Sequence, residues 1–379
     1  MPFEGDNVTQ NAMCSMFNIE IPVFGFSHCR NVVAEITKAG GLGCLGTAYY
    51  TPEELEWELK WIDEEVGDKP YGVNLLLPQK YETVGEASLD PSRLSPDHVK
   101  WQRELLDAAG IPPLPAAERE ELMQAELGRL HMTPEFAGEL LDVALRHPNV
   151  KLVVSALGSP PRPILERLHA QGIKVGAMTG KVEHALKHKE AGLDLVIAQG
   201  TEAAGHTGVV SSMVLWPEVV DAVAPMPVLA AGGIGRGRQM VAAFALGAQG
   251  IWCGSIWHGT RESDLTEEMK QLLFKARSGD AVQTRSKTGK PGRMLRSKYT
   301  EAWVQPDAPK PLPMPWQSVL NVEARLRIDR ARALDYMTCP VGQIVGTINH
   351  ESSVRQVIYD ILDEFADTME GLGERSGLV

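Results

Sequence analysis

A chain of 379 residues with 44% apolar and 23% charged residues has enough Leu, Val, Ile and Ala to bury a core, which excludes intrinsic disorder for most of its length. Its 37 Lys and Arg stand against 49 Asp and Glu, and with no basic block the net charge of -12 excludes a nucleic-acid footprint, which needs a basic stripe to replace counterions. Residues 1–10 place acids where a secretory leader needs a positive start, and no stretch reaches the roughly 18 continuous apolar residues of a membrane span.

Cys14, Cys29, Cys44, Cys253 and Cys339 are odd in number, scattered and never in a CxxC pair. The expectation is a cytoplasmic chain with reduced thiols, no structural zinc, and no nucleic-acid or membrane partner.

The predicted elements alternate from strand to helix. A strand at Pro22–Phe26 leads into a helix over Arg30–Ala39, stopped by Gly40 and Gly41. A second strand spans Gly43–Gly46. Thr51, Pro52, Glu53 and Glu54 then open a helix with an N-cap, a first-turn proline and early acids. Strand three is Tyr71–Leu76. The stretch 78–132, rich in Pro, Glu and Leu, reads as an insertion carrying two helices over one barrel face.

Beyond it, helix Pro134–Arg146 precedes strand Lys151–Ser155, and helix Pro161–Gln171 precedes strand Lys174–Met178. Helix Val182–Ala191 leads to strand Asp194–Ala198, and helix Pro217–Ala224 to strand Pro227–Ala230. Helix Arg238–Leu246, strand Gly250–Cys253 and helix Leu265–Arg277 complete eight units. Eight apolar strands with helices between them predict an α/β fold, a (β/α)8 TIM barrel, with a doubly wound open sheet as the alternative. The barrel with its insertion takes residues 1–277. Residues 278–379 form an extension with a basic loop (Lys287–Lys298), a proline-rich connector and helices at Gln317–Ala333 and Ser352–Met369.

In such barrels the loops after the strands build the active site, and phosphate sits after strands seven and eight. Here those loops read Gly232-Gly233-Ile234-Gly235-Arg236-Gly237 and Gly254-Ser255. Glycines bring backbone N–H groups close to an anion and the next helix adds its positive end, although a lone glycine cluster can also be a tight turn. The run does not satisfy the dinucleotide fingerprint G-x-G-x-x-G, so the expected ligand is a mononucleotide such as FMN.

The loop after strand six, Gln199 to Gly208, is polar and carries His206 between Gly205 and Gly208. An imidazole there has an ordinary pKa of about 6.5, suited to proton abstraction, which makes His206 the candidate base. Asn74 in strand three is either a satisfied buried amide or a contact to a polar cofactor ring, and Gln199 at the end of strand six is a similar case. His184 and His188 read as part of a solvated outer helix, without a third metal ligand nearby. His28 and Cys29 either face the mouth or form a buried polar turn. Arg293 is a candidate for an anionic group.

These segments together resemble the nitronate monooxygenase family, formerly the 2-nitropropane dioxygenases. The resemblance rests on Ala39–Gly43, Gly72–Leu75, Ala198–Gly208, Ala230–Ile234, Gly254–Ser255, Gly289–Arg293 and Gly342–Gly346. It implies an FMN flavoprotein, with the cofactor held by Asn74, Gln199, Gly200, Gly205, Gly232, Gly233, Ile234, Gly254 and Ser255, and with His206 as catalytic base.

It further implies a monooxygenase that oxidises alkyl nitronates with O2 to a carbonyl compound and nitrite, with a small-molecule substrate and room for a homo-oligomer. The pattern is also similar to enoyl and quinone reductases that take NAD(P)H as co-substrate. A non-enzymatic flavin-storing barrel is the third alternative. Relatives carry Ala-Pro-Met at the end of strand one where this chain has Phe24 to Cys29, which points to a different substrate side.

Overall fold

The computed structural model describes residues 11–77, 89–130 and 133–376. The acidic segment 1–10 and the start of the insertion, 78–88, lie outside the described residues, as do 131–132 and 377–379.

Eight strands form: β1 (Val23–Ser27), β2 (Leu42–Gly46), β3 (Tyr71–Leu75), β4 (Val150–Ser155), β5 (Lys174–Thr179), β6 (Leu195–Gln199), β7 (Val228–Ala231) and β8 (Gly250–Cys253). They close in sequence order into a parallel barrel, β8 returning to β1 with Val23 beside Ile251. The closed (β/α)8 barrel, and not the open sheet, is therefore the fold.

The strands look uniformly apolar because both of their faces are buried, and the period of two sorts them. Phe24, Leu195, Ile197, Leu229 and Trp252 fill the interior, whereas Val23, Val196, Val228 and Ile251 pack under the helices. A helix not expected from the sequence, Ala12–Phe17, plugs the N-terminal end of the barrel. Asn11 caps it and donates to the Gln249 carbonyl at 2.8 Å, and Phe17 meets Phe24 edge-on at 5.5 Å.

The local signals that set the helices are visible. Thr51 and Glu54 form the reciprocal capping box of helix Pro52–Val66, at 2.9 and 3.2 Å. The helix expected to begin at Pro217 instead spans Ser212–Val223. Glu202 causes the earlier start: its carboxylate accepts from the Ser212 N–H and hydroxyl at 3.0 and 2.8 Å, so the first turn forms upstream and Pro217 falls inside the helix.

The expected insertion carries helices Pro96–Ala108 and Ala116–Gly128. Both pack on the extension helix Trp316–Arg330. Leu106 and Ile111 join Leu320 and Ile328, and Met123 and Leu127 join Val319 and Val322. Arg327 reaches Asp107 at 2.6 Å across the same seam.

A two-stranded antiparallel ribbon pairs β9 (Ala281–Thr284), just before the basic loop, with β10 (Gly292–Leu295) inside it. The last long helix, Val354–Glu370, lies on helix Gly237–Ala245, with Phe365 edge-on to Phe244 at 5.6 Å.

Among the described residues no helix is long and apolar enough to cross a membrane. The five cysteines are free and buried. Among the described residues no group of three or more His, Cys, Asp or Glu side chains could hold a metal ion.

Candidate active site

The C-terminal ends of the strands gather the residues singled out in the sequence. The loops after β6 and β7 interlock. A β-carbon at Gly200 would stand 2.1 Å from the Ser212 hydroxyl, and one at Gly232 would stand 3.0 Å from the Gly200 nitrogen, so only glycines allow this approach. Gly232 and Gly233 have φ of 103° and 71°, in the left-handed region that favours glycine. Ile234 buries its side chain with Ile256 and Ile344 and leaves its backbone to the turn.

Gln239 orders that turn from the next helix. Its amide oxygen accepts from Gly235 and Arg236 at 2.9 and 3.1 Å, and its amide nitrogen donates to the Gly233 carbonyl at 2.6 Å. The helix N-terminus expected to complete an anion site is already taken: Glu364 accepts from the Gly237 N–H at 2.8 Å and pairs with Arg236 and Arg238. A carboxylate there satisfies the positive end of the helix. An anion is therefore left with the loop backbones of Gly232–Ile234 and Gly254–Ser255.

Ser255 accepts from the Gly342 N–H at 2.8 Å, and Gln343 N donates to the Glu202 carbonyl at 2.9 Å. The C-terminal glycine segment thus ties the loops after β6 and β8 together. A β-carbon at Gly342 would come within 2.7 Å of the Glu202 carbonyl, which is why glycine stands there.

Asn74 is 8% exposed. Its backbone carbonyl takes both the N–H and the hydroxyl of Thr47, at 3.1 and 3.0 Å. Its side-chain Nδ2 is buried with no partner among the described residues. An unmade amide bond is expensive, so this donor is open to a partner that the chain itself does not supply among the described residues. Across the mouth Phe26 and Trp252 stack at 6.1 Å, and a β-carbon at Gly254 would meet Phe26 at 3.8 Å, an ordinary contact.

His206 stands exposed at this mouth. Its Nδ1 lies 2.8 Å from the Pro291 carbonyl, an acceptor only, so Nδ1 carries the proton and Nε2 the lone pair. The Thr288 hydroxyl sits 3.3 Å from Nε2. Loss of hydration pulls the imidazole pKa below the ordinary histidine value, Lys287 and Lys290 add to that, and the Pro291 carbonyl opposes it. The hydrogen bond fixes the tautomer, and the lowered pKa favours the neutral ring. Gly205 is paired to β10 through reciprocal bonds with Arg293 at 3.0 and 2.7 Å, which fixes the backbone beside it.

His28 is also exposed at the mouth. Its Nδ1 donates to the Gly46 carbonyl at 2.9 Å, and partial loss of hydration is the leading cause of a lowered pKa. Cys29 lies buried beneath it.

Two expectations change. Arg293, a candidate for an anionic group, is 7% exposed and spends its guanidinium on the Thr201 and Ala281 carbonyls at 2.8 and 2.6 Å. His188 is not on a solvated face: it is 3% exposed and its Nδ1 lies 2.8 Å from the Ser159 hydroxyl. That helix turns Ala185 and His188 inward together, a face its charged neighbours hide in the sequence. Sequence reasoning also missed Glu202, Gln239 and Glu364. Gln239 left a signal as the third residue of a helix, where an amide commonly caps. Glu364 left none.

A closed parallel barrel with glycine loops after β7 and β8, an unpartnered amide on β3 and a fixed imidazole after β6 defines a cofactor-using barrel enzyme. The nitronate monooxygenase family model matches residues 10–364, and the chain belongs to that family. A Mycobacterium tuberculosis protein named as a monooxygenase is 46% identical over 377 residues, 97% of this chain and 98% of the relative.

Among solved structures, FabK from Thermotoga maritima has 27% identity and a TM-score of 0.71, over 97% of this chain and 99% of that one. The nitroalkane oxidase of Streptomyces ansochromogenes has 24% identity and a TM-score of 0.74, over 95% and 99%, and shows the shared fold. The chain is an enzyme, an oxidoreductase of the nitronate monooxygenase type.

Proposed function

We propose that the chain is an FMN-dependent nitronate monooxygenase that oxidises small alkyl nitronates with O2 to a carbonyl compound and nitrite. The observation that carries this reading is the His206 imidazole at the mouth, with Nδ1 spent on the Pro291 carbonyl and Nε2 left as the lone-pair nitrogen. The buried, unpartnered Asn74 amide and the glycine loops after β7 and β8 fit a flat polar ring with a single phosphoryl tail. Asn74 and Gln199 would hold the ring, and the backbone of Gly200, Gly205, Gly232, Gly233, Ile234, Gly254 and Ser255 would surround the tail.

When bound, FMN supplies the electron acceptor and the site at which O2 is reduced. The chain's own residues do the rest. With a neutral nitroalkane, His206 Nε2 would take the proton from the carbon bearing the nitro group and hold it on the imidazole, whereas a nitronate arrives without that proton. Phe26 and Trp252, stacked at 6.1 Å, would supply an apolar surface beside the ligand.

Oxygen-electrode and nitrite measurements on the purified holoenzyme test the reading. Propyl-1-nitronate consumes O2 and releases nitrite with no nicotinamide present. Absence of O2 uptake, together with anaerobic bleaching of the flavin by NADH or NADPH, would replace this function by the reductase alternative.

A further inference from the structure

The mouth carries a cation that the reaction above does not use. Lys287 lies half-buried in the loop between β9 and β10, its ammonium 5.5 Å above the Tyr49 ring. Tyr49 in turn leans on the His28 ring at 5.8 Å. The next residue, Thr288, contacts His206 Nε2, and Pro291 of the same loop accepts from Nδ1. One loop therefore seats the base and sets an ammonium group beside it.

The charged surroundings can be named. Lys287 faces His28 and His206 and opposes protonation of both, after the larger effects of lost hydration, which lowers each pKa, and of the Gly46 and Pro291 carbonyls, which raise them. Lys290 faces His206, while His258 and Asp264 face His28. No carboxylate among the described residues lies within ion-pair distance of Lys287, whose recorded partner is the π face of Tyr49. A cation–π contact returns only about 0.5–1 kcal/mol at a partly exposed site, less than a partly desolvated ammonium gains from an anionic oxygen. The two imidazoles nearest to it are neutral and supply no negative charge. An incoming oxyanion does.

We propose that Lys287 is a specificity-determining residue: it receives a negatively charged oxygen of the substrate at the mouth and selects the oxyanion over the neutral form of the same molecule. The identity of that oxyanion as a nitronate rests on the function proposed above. The anion subsite itself rests on the placement of Lys287.

The test compares holoenzymes of the parent chain, Lys287→Met and Lys287→Arg, matched for flavin content. With propyl-1-nitronate the KM of Lys287→Met rises about tenfold and Lys287→Arg restores most of it, whereas the KM for neutral 1-nitropropane changes less than about twofold. Equal changes for the two forms would overturn the proposal. A second readout needs no turnover. Nitrate, an unreactive oxyanion, is titrated against the flavin absorbance, and its Kd weakens about tenfold in Lys287→Met.

The two claims fail separately. If the parent enzyme consumes no nitronate, the function reading fails, yet nitrate binding that weakens in Lys287→Met still supports the subsite. Nitrate that does not bind the parent, or binds both equally, overturns it.

Discussion

Replacing His206 by Asn lowers the rate with a neutral nitroalkane by about a thousandfold and leaves the rate with preformed nitronate within roughly tenfold, because the nitronate has already lost the proton that the base removes. Asparagine keeps an N–H for the Pro291 carbonyl, so the loop stays seated and the difference reports the chemistry. The pH profile carries the same information. The folded imidazole has a lowered pKa, from loss of hydration first, with the Pro291 carbonyl opposing and Lys287 and Lys290 adding, so the ring is neutral above that pKa and takes up a proton below it.

The rate with neutral nitroalkane therefore falls as the pH drops, with its inflection below the ordinary value of about 6.5, and it is flat above. His206→Asn removes the inflection. Equal slowing of both substrates, or an inflection that survives the substitution, would contradict the assignment.

Arg293→Met destabilises the fold by about 3 kcal/mol and loosens the loop that carries the base. The guanidinium donates to the Thr201 carbonyl through both Nε and Nη2, at 3.0 and 2.8 Å, and to the Ala281 carbonyl through Nη1 at 2.6 Å. Burial lowers its pKa, with Glu202 partly opposing. Methionine fills the space but leaves two carbonyls unmade in a dry seam between the loop after β6 and β9. Lysine does not rescue it, since a single ammonium cannot span two carbonyls with the planar fork of arginine. The guanidinium-chloride midpoint reads the effect. A midpoint unchanged in Arg293→Met would show that the clamp carries no stability.

The barrel was legible because its signals are local. The Thr51–Glu54 capping box, the Gly40 stop with its positive φ of 91° and the apolar strand runs each act within a few residues, and each falls where the sequence placed it. The glycines of the mouth were legible for the same reason, since a positive φ at Gly232 and Gly233 is a property of the residue itself.

What stayed hidden depends on partners far apart in the chain. Ser212 begins its helix because Glu202 reaches it, and the Gly237 end is capped by Glu364. Arg293 looked like an anion ligand because its basic neighbours suggested solvent, whereas pairing of β9 with β10 turns it inward. His188 looked solvated for a related reason: helical period places it beside Ala185 on the buried face. The sequence shows Asn74 inside a strand, but only the closed barrel shows that its Nδ2 is left without a partner among the described residues.

The central claim is that a flavin docks at the C-terminal mouth by its single phosphate, with the Asn74 amide against its ring. Titration of riboflavin 5'-phosphate into flavin-stripped protein, followed by fluorescence quenching, tests it most directly, with riboflavin and the Asn74→Leu variant run alongside. The expected result is tight one-to-one binding of the phosphate form, much weaker binding of riboflavin, and a loss of about tenfold in Asn74→Leu. A protein that stays colourless, or one that binds riboflavin as tightly as its phosphate and ignores Asn74, would contradict the account.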